Sequence, residues 1–415
     1  MNMRNINPKL QIPNPKQYQN SNSKIYYKFL DLVIGICLVL SVSILGFPQS
    51  GFGQSFFSMR GFGEEVLYTD AVSGSLGGLV SLSRENPAYP ITLNKTSFYA
   101  NVLSGFVYGQ DSTAKRMIYD IRPIMVQGKI PLPYQSRFGL KISEIFNQNF
   151  NIYSDSLLFS GYWTRRHIIG KGGIYQLGAN LSKSFFNNKL SIGGEYLRLF
   201  GQGLEQWYFE VLNGNYITLD SVVNAYSAHH LKFGISSDIS FIKFALSAED
   251  FLPGLINCKV MSHNSIVDSV VGLKFDMPYG IGLGIIVDKL PQTKFYLDIF
   301  YRNWSKATIN NLPISYVQNS TKISLGVEHW LTDYSSIRVG LRYYTTYLLD
   351  HTNTQIKEIA LTGGSSFMIP KFGYLDYSLE IIQRNGKETK ETIGRLNLSL
   401  SYEEIWKKRT RRWGY

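Results

Sequence analysis

Cysteine is almost missing from this 415-residue chain: Cys37 and Cys258 are the only two. Cys37 sits in an apolar run near the start, which leaves Cys258 alone, so neither an internal disulfide nor a cysteine-built metal site can form. Charge is also scarce. Charged residues are 17% of the chain, where soluble domains carry about one quarter. The net charge of +12 is concentrated at the ends, in Arg4, Lys9, Lys16, Lys24 and Lys28 and in Lys407, Lys408, Arg409, Arg411 and Arg412. The body between them is nearly balanced, which excludes a nucleic-acid footprint spread over the fold. No Gly-x-Ser-x-Gly, His-Glu-x-x-His, Walker or paired-Cys spacing occurs. The six histidines (167, 229, 230, 263, 329 and 351) are scattered. Gly280, Gly282 and Gly284 imitate a phosphate loop only superficially, because apolar residues alternate with them as in a strand. We therefore expect no enzyme, no cofactor and no metal. Finally, no apolar run after residue 53 is long enough for a spanning helix.

One long apolar run does exist, Phe29 to Phe47. Lys24 and Lys28 precede it, and Pro48, Ser50, Gly51 and Gly53 follow. Basic, apolar and small-residue segments in that order form a secretory signal, and cleavage is expected near Gly53. A single anchoring helix is the alternative reading.

From Thr96 the sequence has a period of two. Tyr175, Leu177, Ala179 and Leu181 alternate with Gln176, Gly178, Asn180 and Ser182; Ile337, Val339, Leu341 and Tyr343 alternate with Ser336, Arg338, Gly340 and Arg342. Each such segment has one apolar and one polar face. The segments run to roughly 10–13 residues, where soluble strands average about 5–6 and a tilted membrane-spanning strand needs about 9–11. Without a spanning helix, a closed barrel is the remaining way across a bilayer. The expected fold is thus all-β: a transmembrane antiparallel barrel of about 14 strands, 16 being possible, with an N-terminal plug in the lumen. Aromatics make up 14% of the chain. Trp163, Trp304, Trp330, Tyr347 and Trp406, at segment ends, read as interfacial girdles. Phe186-Asn187-Asn188 and Pro278-Tyr279-Gly280 read as short turns, and 202–227, 252–267 and 305–319 as long loops. The segment around Pro123 is a weak strand.

By alternation the lumen face collects Lys243, Lys274, Asp276, Lys294, Asp298, Arg302, Lys322, Glu328, Arg338, Arg342, Glu358, Asp376, Glu380 and Arg384. Both signs interleave, which suits a paired network holding a plug or wall better than a single-sign pore. Before the first strand, Asp70 to Pro90 is rich in small residues. Ser73, Gly74, Ser75, Gly77 and Gly78 allow close approach to a wall, and Asp70, Arg84 and Glu85 are candidates for polar contacts with it. Pro87 biases Asn86 toward extended backbone and marks the exit into the barrel. The expected organisation is leader and signal over 1–53, plug over 54–95, barrel over 96–406 and a basic periplasmic tail over 407–415.

The stretch "SLSRENPAYPITLNKTSFYANVLSG", with Asn86, Pro87 and Ala88, resembles the plug and first strand of FadL-type outer-membrane transporters of long-chain fatty acids and other hydrophobic compounds. The ending "LDYSLEIIQRNGKETKETIGRLNLSLSYEEIWKKR" is similar to the closing hairpin of related barrels. The resemblance implies a fourteen-stranded barrel blocked by an N-terminal hatch. In it a hydrophobic ligand binds outside, crosses an internal pocket and leaves by a gap in the wall. It implies a passive, porin-like conduit in the outer membrane of a Gram-negative-type bacterium, with outer-membrane lipids, the barrel assembly machinery and a hydrophobic small molecule as partners. A component or shuttle of protein secretion and a purely structural barrel are the other readings. Candidate ligand-lining residues are Leu76, Leu79, Val80 and Leu82 of the plug and the inward Tyr296, Phe300 and Tyr344; plain packing of plug on wall is the alternative for each.

Overall fold

The computed structural model describes residues 55–59, 61–89, 95–110, 115–153, 156–159, 161–212, 217–262, 269–350, 352–370, 373–387 and 390–405. The expected signal, the basic tail and Trp406 lie outside them. Fourteen antiparallel strands close a barrel. The first seven wall strands are β1 (Lys95–Gln110), β2 (Lys115–Leu132), β3 (Ser136–Asn147), β4 (Tyr162–Phe185), β5 (Leu190–Val211), β6 (Ile217–Ile239) and β7 (Ile242–Met261). The others are β8 (Gly280–Leu290), β9 (Thr293–Arg302), β10 (Ser320–Thr332), β11 (Ser335–Leu349), β12 (Gln355–Ile369), β13 (Gly373–Asn385) and β14 (Lys390–Ile405). Each pairs with its successor. β14 closes on β1 in continuous register from Lys95↔Ile405 to Gln110↔Lys390, so no edge is left to solvate in lipid.

The period of two sorts side chains as the sequence implies. Leu177, Leu181, Val339 and Leu341 are exposed on the outer wall, whereas Gln176, Asn180, Ser182, Arg338 and Arg342 are buried inside. The turn at Phe186-Asn187-Asn188 is tight, with all three residues at positive φ. Pro123 lies in β2, opposite Val102 where the β1–β2 register slips; a bulge tolerates the missing N–H.

Three expectations need correction. Segments 202–227 and 252–267 are mostly strand: β4, β5 and β6 run 24, 22 and 23 residues. At that length they rise past the bilayer at the long-loop end. Pro278-Tyr279-Gly280 is not a reversal. Ser269–Asp276 and β8 both pair with β7, from Gly254↔Phe275 and Glu249↔Gly280, so Met277 to Tyr279 interrupt one wall strand. Trp304 and Tyr347 are not girdle residues, being fully buried in the lumen.

The described residues between 55 and 89 lie in the lumen. Their one α-helix, α1 (Ala71–Ser75), is a single turn capped by Asp70, whose carboxylate accepts from Ser73 N at 2.8 Å. Asp70 therefore caps the plug's helix and makes no ion pair with the wall among the described residues. After α1 the chain turns at Gly77 and Gly78, at φ +88° and +82°. A Cβ on Gly77 would stand 2.6 Å from the Leu341 carbonyl oxygen, so both backbone conformation and space demand glycine there. The wall gives way in turn: a Cβ on Gly284 would meet Leu82 at 2.4 Å, and one on Gly326 would meet Leu76 at 2.8 Å.

Replacing Gly77 with Leu should dislodge the plug and leave the wall intact. Heat-modifiable gel mobility should be retained while the plug becomes cleavable by added protease; loss of the folded, mobility-shifted band would instead assign this segment to the wall.

Candidate functional site

Plug and wall are joined by buried charges. In the plug, Glu64 Oε1 accepts from Arg384 and Arg395, each at 2.6 Å. Glu65 binds Arg302 and accepts from Tyr344 Oη at 2.7 Å. Glu85 accepts from Lys232 at 2.7 Å, Lys141 at 3.2 Å and Thr69 Oγ1 at 2.5 Å. From the wall, Asp298 accepts from the backbone N–H groups of Val80, Ser81 and Leu82 at 3.2, 2.8 and 3.2 Å. Three convergent amides form an anion nest. Lys322 Nζ donates to Leu67 O at 2.7 Å.

Of the other expected lumen charges, Arg338, Glu328, Asp376, Arg342, Glu358, Glu380 and Arg384 pair along the wall. Lys243 binds the half-exposed Asp238 at 3.2 Å and Asp276 accepts from Thr308 at 3.2 Å. Lys274 is exposed and not inward, because the interruption at Met277 to Tyr279 shifts the parity and turns Phe275 inward. Arg338 binds Glu328 at 2.8 Å and approaches Asp376 at 3.8 Å; Arg342 binds Glu358 at 3.0 Å and Glu380 at 3.2 Å; Arg384 also reaches Glu358 at 2.9 Å. Many of these partners face each other directly in the sheet: Lys294↔Glu328, Glu328↔Arg338, Glu358↔Arg384 and Glu380↔Arg395. Removing one member of such a pair strands its partner in low dielectric, at a cost of about 3–5 kcal/mol.

The Asn86-Pro87-Ala88 stretch anchors the plug's exit. Asn86 Nδ2 donates to Ser81 O at 2.8 Å and Leu246 O at 3.1 Å, and its Oδ1 accepts from Ala88 N at 2.9 Å. The wall answers with Asn180 donating to Pro87 O at 3.2 Å and Ser236 donating to Ala88 O at 3.0 Å. Arg84 lies over the Tyr99 ring, 4.3 Å from its centroid.

Toward the long-loop end the lumen turns apolar. Phe62 of the plug sits among Phe146, Tyr226, Phe275 and Trp304, with ring centroids 5.6–6.4 Å away. Trp304 stacks on Tyr347 at 4.1 Å. Tyr347 donates to Gly63 O at 2.5 Å, and Gln148 donates to Phe62 O at 3.1 Å and Tyr226 Oη at 2.8 Å. None of these aromatics was among the expected ligand-lining residues. A signal for one of them was present: Phe300, Arg302 and Trp304 share the inward parity. Tyr347 escaped because the register slips between Thr345 and Leu349 and turns it inward.

Beneath this aromatic chamber a cavity of about 50 Å³ is lined by Glu65, Val80, Glu85, His230, Lys232, Glu249, Phe300, Arg302, Lys322 and Tyr344, among others. It is large enough for a few waters, and ionisable side chains (Glu65, Glu85, Lys232, Glu249, Arg302 and Lys322) border it. Leu82 and Tyr296 border a second pocket of about 160 Å³ at the short-turn end, with Tyr89, Phe244 and Lys294. Leu76, Leu79 and Leu82 pack together on Ala245 and Ile286. The seven expected lining residues thus fall in three places: Val80, Phe300 and Tyr344 at the upper cavity, Leu82 and Tyr296 at the lower pocket, and Leu76 and Leu79 in plug-on-wall packing.

The wall itself parts between β2 and β3. They pair from Leu132↔Ser136 to Met125↔Ser143 and no further. Above that point, β2 residues 115–124 pair only with β1. The freed edge of β3 pairs with the plug, Glu65↔Phe146 and Glu64↔Asn147, and Val66 N donates to Ile145 O at 2.8 Å. β3 also bulges between Glu144 and Phe146. One ion pair spans the parting, Arg122 Nε to Glu144 at 2.5 Å, with Asp120 on the same guanidinium. Ile145 and Phe146 belong at once to this parting and to the aromatic chamber.

No family model and no curated protein matches the sequence. Solved structures do match the fold. The Pseudomonas putida toluene transporter TodX aligns at TM-score 0.53 and 14% identity, covering 83% of this chain and 99% of that one. The CymD monoaromatic hydrocarbon channel aligns at 0.56 and 13%, covering 82% and 99%. A Pseudomonas aeruginosa FadL homologue aligns at 0.55 and 12%, covering 86% and 100%. The chain has the fold of FadL-type barrels.

The plug's attachment should depend on acid pH. Burial alone would raise the Glu64 carboxyl, but Arg384 and Arg395 outweigh it and lower its pKa from 4.5 to about 2. A depressed carboxylate stabilises the folded state above its unfolded pKa and loses that contribution as pH falls through the folded value. Glu64→Gln should therefore lower plug stability by about 3 kcal/mol at neutral pH. Thermal unfolding of both proteins should show this gap constant down to pH about 4.5 and shrinking toward pH about 2; a gap independent of pH would contradict the assignment.

Proposed function

We propose that this protein is a passive conduit for small hydrophobic molecules across the outer membrane. The carrying observation is the placement of Ile145 and Phe146, which join the aromatic chamber to the only parting of two neighbouring wall strands among the described residues. An apolar molecule entering from the long-loop end finds rings to partition into, at about 0.8 kcal/mol per buried CH₂. Straight below, it meets paired charges, a plug and a cavity of about 50 Å³. Sideways, it meets the β2–β3 parting, from which it can pass into the wall's lipid surroundings without crossing the charged lumen. Long-chain fatty acids and neutral hydrocarbons both belong to the class that such a route would accept. TodX and CymD, of the same fold, are described as a toluene transporter and a monoaromatic hydrocarbon channel, which supports the reading.

The Arg122–Glu144 pair is then the bar across the exit. Exchanging both partners for methionine removes the bar together with both of its charges; the buried Asp120 then loses this guanidinium. Cells carrying the barrel should take up labelled toluene at least fivefold faster than cells without it, and the Arg122→Met/Glu144→Met double variant should be faster still by severalfold. Equal uptake with and without the protein would overturn the conduit; a double variant matching the parent would move the exit elsewhere.

A further inference from the structure

Almost every inward charge described above has an opposite partner. Lys322 and Asp298 bind backbone groups instead; the buried cations with neither an acid nor a carbonyl gather in one sector, at the short-turn ends of β2 and β3. Lys129 and Arg137 are 3% and 2% exposed. Neither makes a hydrogen bond or ion pair among the described residues, and Arg137 Nε is buried without a partner. Arg84 of the plug, stacked on Tyr99, makes no ion pair among them either.

Register places the three together. Lys129 pairs with Gly139, and its Cγ lies 2.9 Å from where a Gly139 side chain would begin. Arg137 is two residues along the same inward face of β3, a diagonal neighbour at roughly 7–8 Å. On the other side Lys129 pairs with Ser97, two residues from the Tyr99 that carries Arg84. The acids within reach are already engaged: Glu195 with Lys141 at 3.0 Å, and Glu85 with Lys141 and Lys232. The connection from Tyr89 to Lys95, Pro-Ile-Thr-Leu-Asn, contains no carboxylate.

Buried cations without counter-charges are costly to hold. We infer that Lys129, Arg137 and Arg84 form a site for one oxyanion, a carboxylate or phosphate, at the periplasmic end of the lumen. The anion arrives either free or as the headgroup of an amphiphile. In the second case the site deepens the conduit reading and rests on it: it would select molecules with an anionic head over neutral hydrocarbons, at a place separate from the aromatic chamber.

The probes are sodium decanoate, decan-1-ol and inorganic phosphate, titrated calorimetrically into the full-length protein in neutral detergent. Decanoate should bind the parent at least tenfold more tightly than it binds Lys129→Met/Arg137→Met, while decan-1-ol binds both equally. Phosphate binding that is lost in the same variant would also support the site and would name the free ion as its source. If neither decanoate nor phosphate distinguishes the two proteins, the site does not exist. Should the double variant fail to insert, the parent alone decides: decanoate must bind at least tenfold more tightly than decan-1-ol or phosphate must bind by itself, and the absence of both results would overturn the proposal. Failure of decan-1-ol to bind either protein would count against the conduit and leave the oxyanion site standing. Lys129→Arg, which keeps the charge, should retain decanoate binding within threefold.

Discussion

A charge inside a closed barrel must find a partner, and that constraint organises this protein. Glu64, Glu65 and Glu85 on the plug meet Arg384, Arg395, Arg302, Lys141 and Lys232 on strands spread around the wall. Glu85 thus ties β3 to β6 and Glu65 ties β9 to β11, strands that are not neighbours in the sheet, while Glu64 holds the adjacent β13 and β14. The plug is held by these ties and by the Asp298 nest, and the wall is held against the plug by the same contacts. Solvent screening is weak in such a place, so removing one partner of a pair costs more than it would at the surface.

The same constraint divides the lumen by chemistry. Where charges are paired, the interior is filled by plug and wall, leaving a cavity of about 50 Å³ beneath the rings and a pocket of about 160 Å³ at the short-turn end. Where they are absent, toward the long-loop end, aromatic rings take over around Phe62. Arg302 marks the boundary: it binds Glu65 and Glu249 below and faces the rings of Phe251, Phe300 and Trp304 at 5.4–5.9 Å. An apolar solute is therefore admitted to one half of the lumen and refused by the other. The two-residue plug strand Glu64–Glu65 couples the halves, because its backbone occupies the freed edge of β3 while its side chains anchor in the charge network. Anything that withdraws this strand both loosens the network and uncovers the parted wall.

Much of this was legible in the residues themselves. Alternation sorted outside from inside, and all eight charges singled out for the network, Asp298, Arg302, Glu328, Arg338, Arg342, Asp376, Glu380 and Arg384, are buried in the lumen. The small residues of the plug stand close to the wall, as Gly77 does against Leu341. What escaped lay wherever the chain departs from a uniform strand. The slip near Tyr347 inverted the parity of one aromatic, the break at Pro278 imitated a turn, and the bulge at Glu144 gave no composition signal at all. Asp70 looked like a wall contact and proved to be a helix cap, because its nearest amide is three residues away in its own segment.

The period of two is a local property, fixed by the geometry of each strand, so the sequence alone determined a wall with an apolar outer face, a charged inner face and a small-sided segment ahead of it. Which charges meet is a matter of register and of plug placement. Glu64 and Arg395 are 331 positions apart, and no local pattern relates them. The aromatic chamber, the parted β2–β3 wall and the cluster of unpartnered cations were likewise decided only by closure of the barrel, which brings distant strands around one plug and leaves each inward side chain whatever neighbour the register supplies.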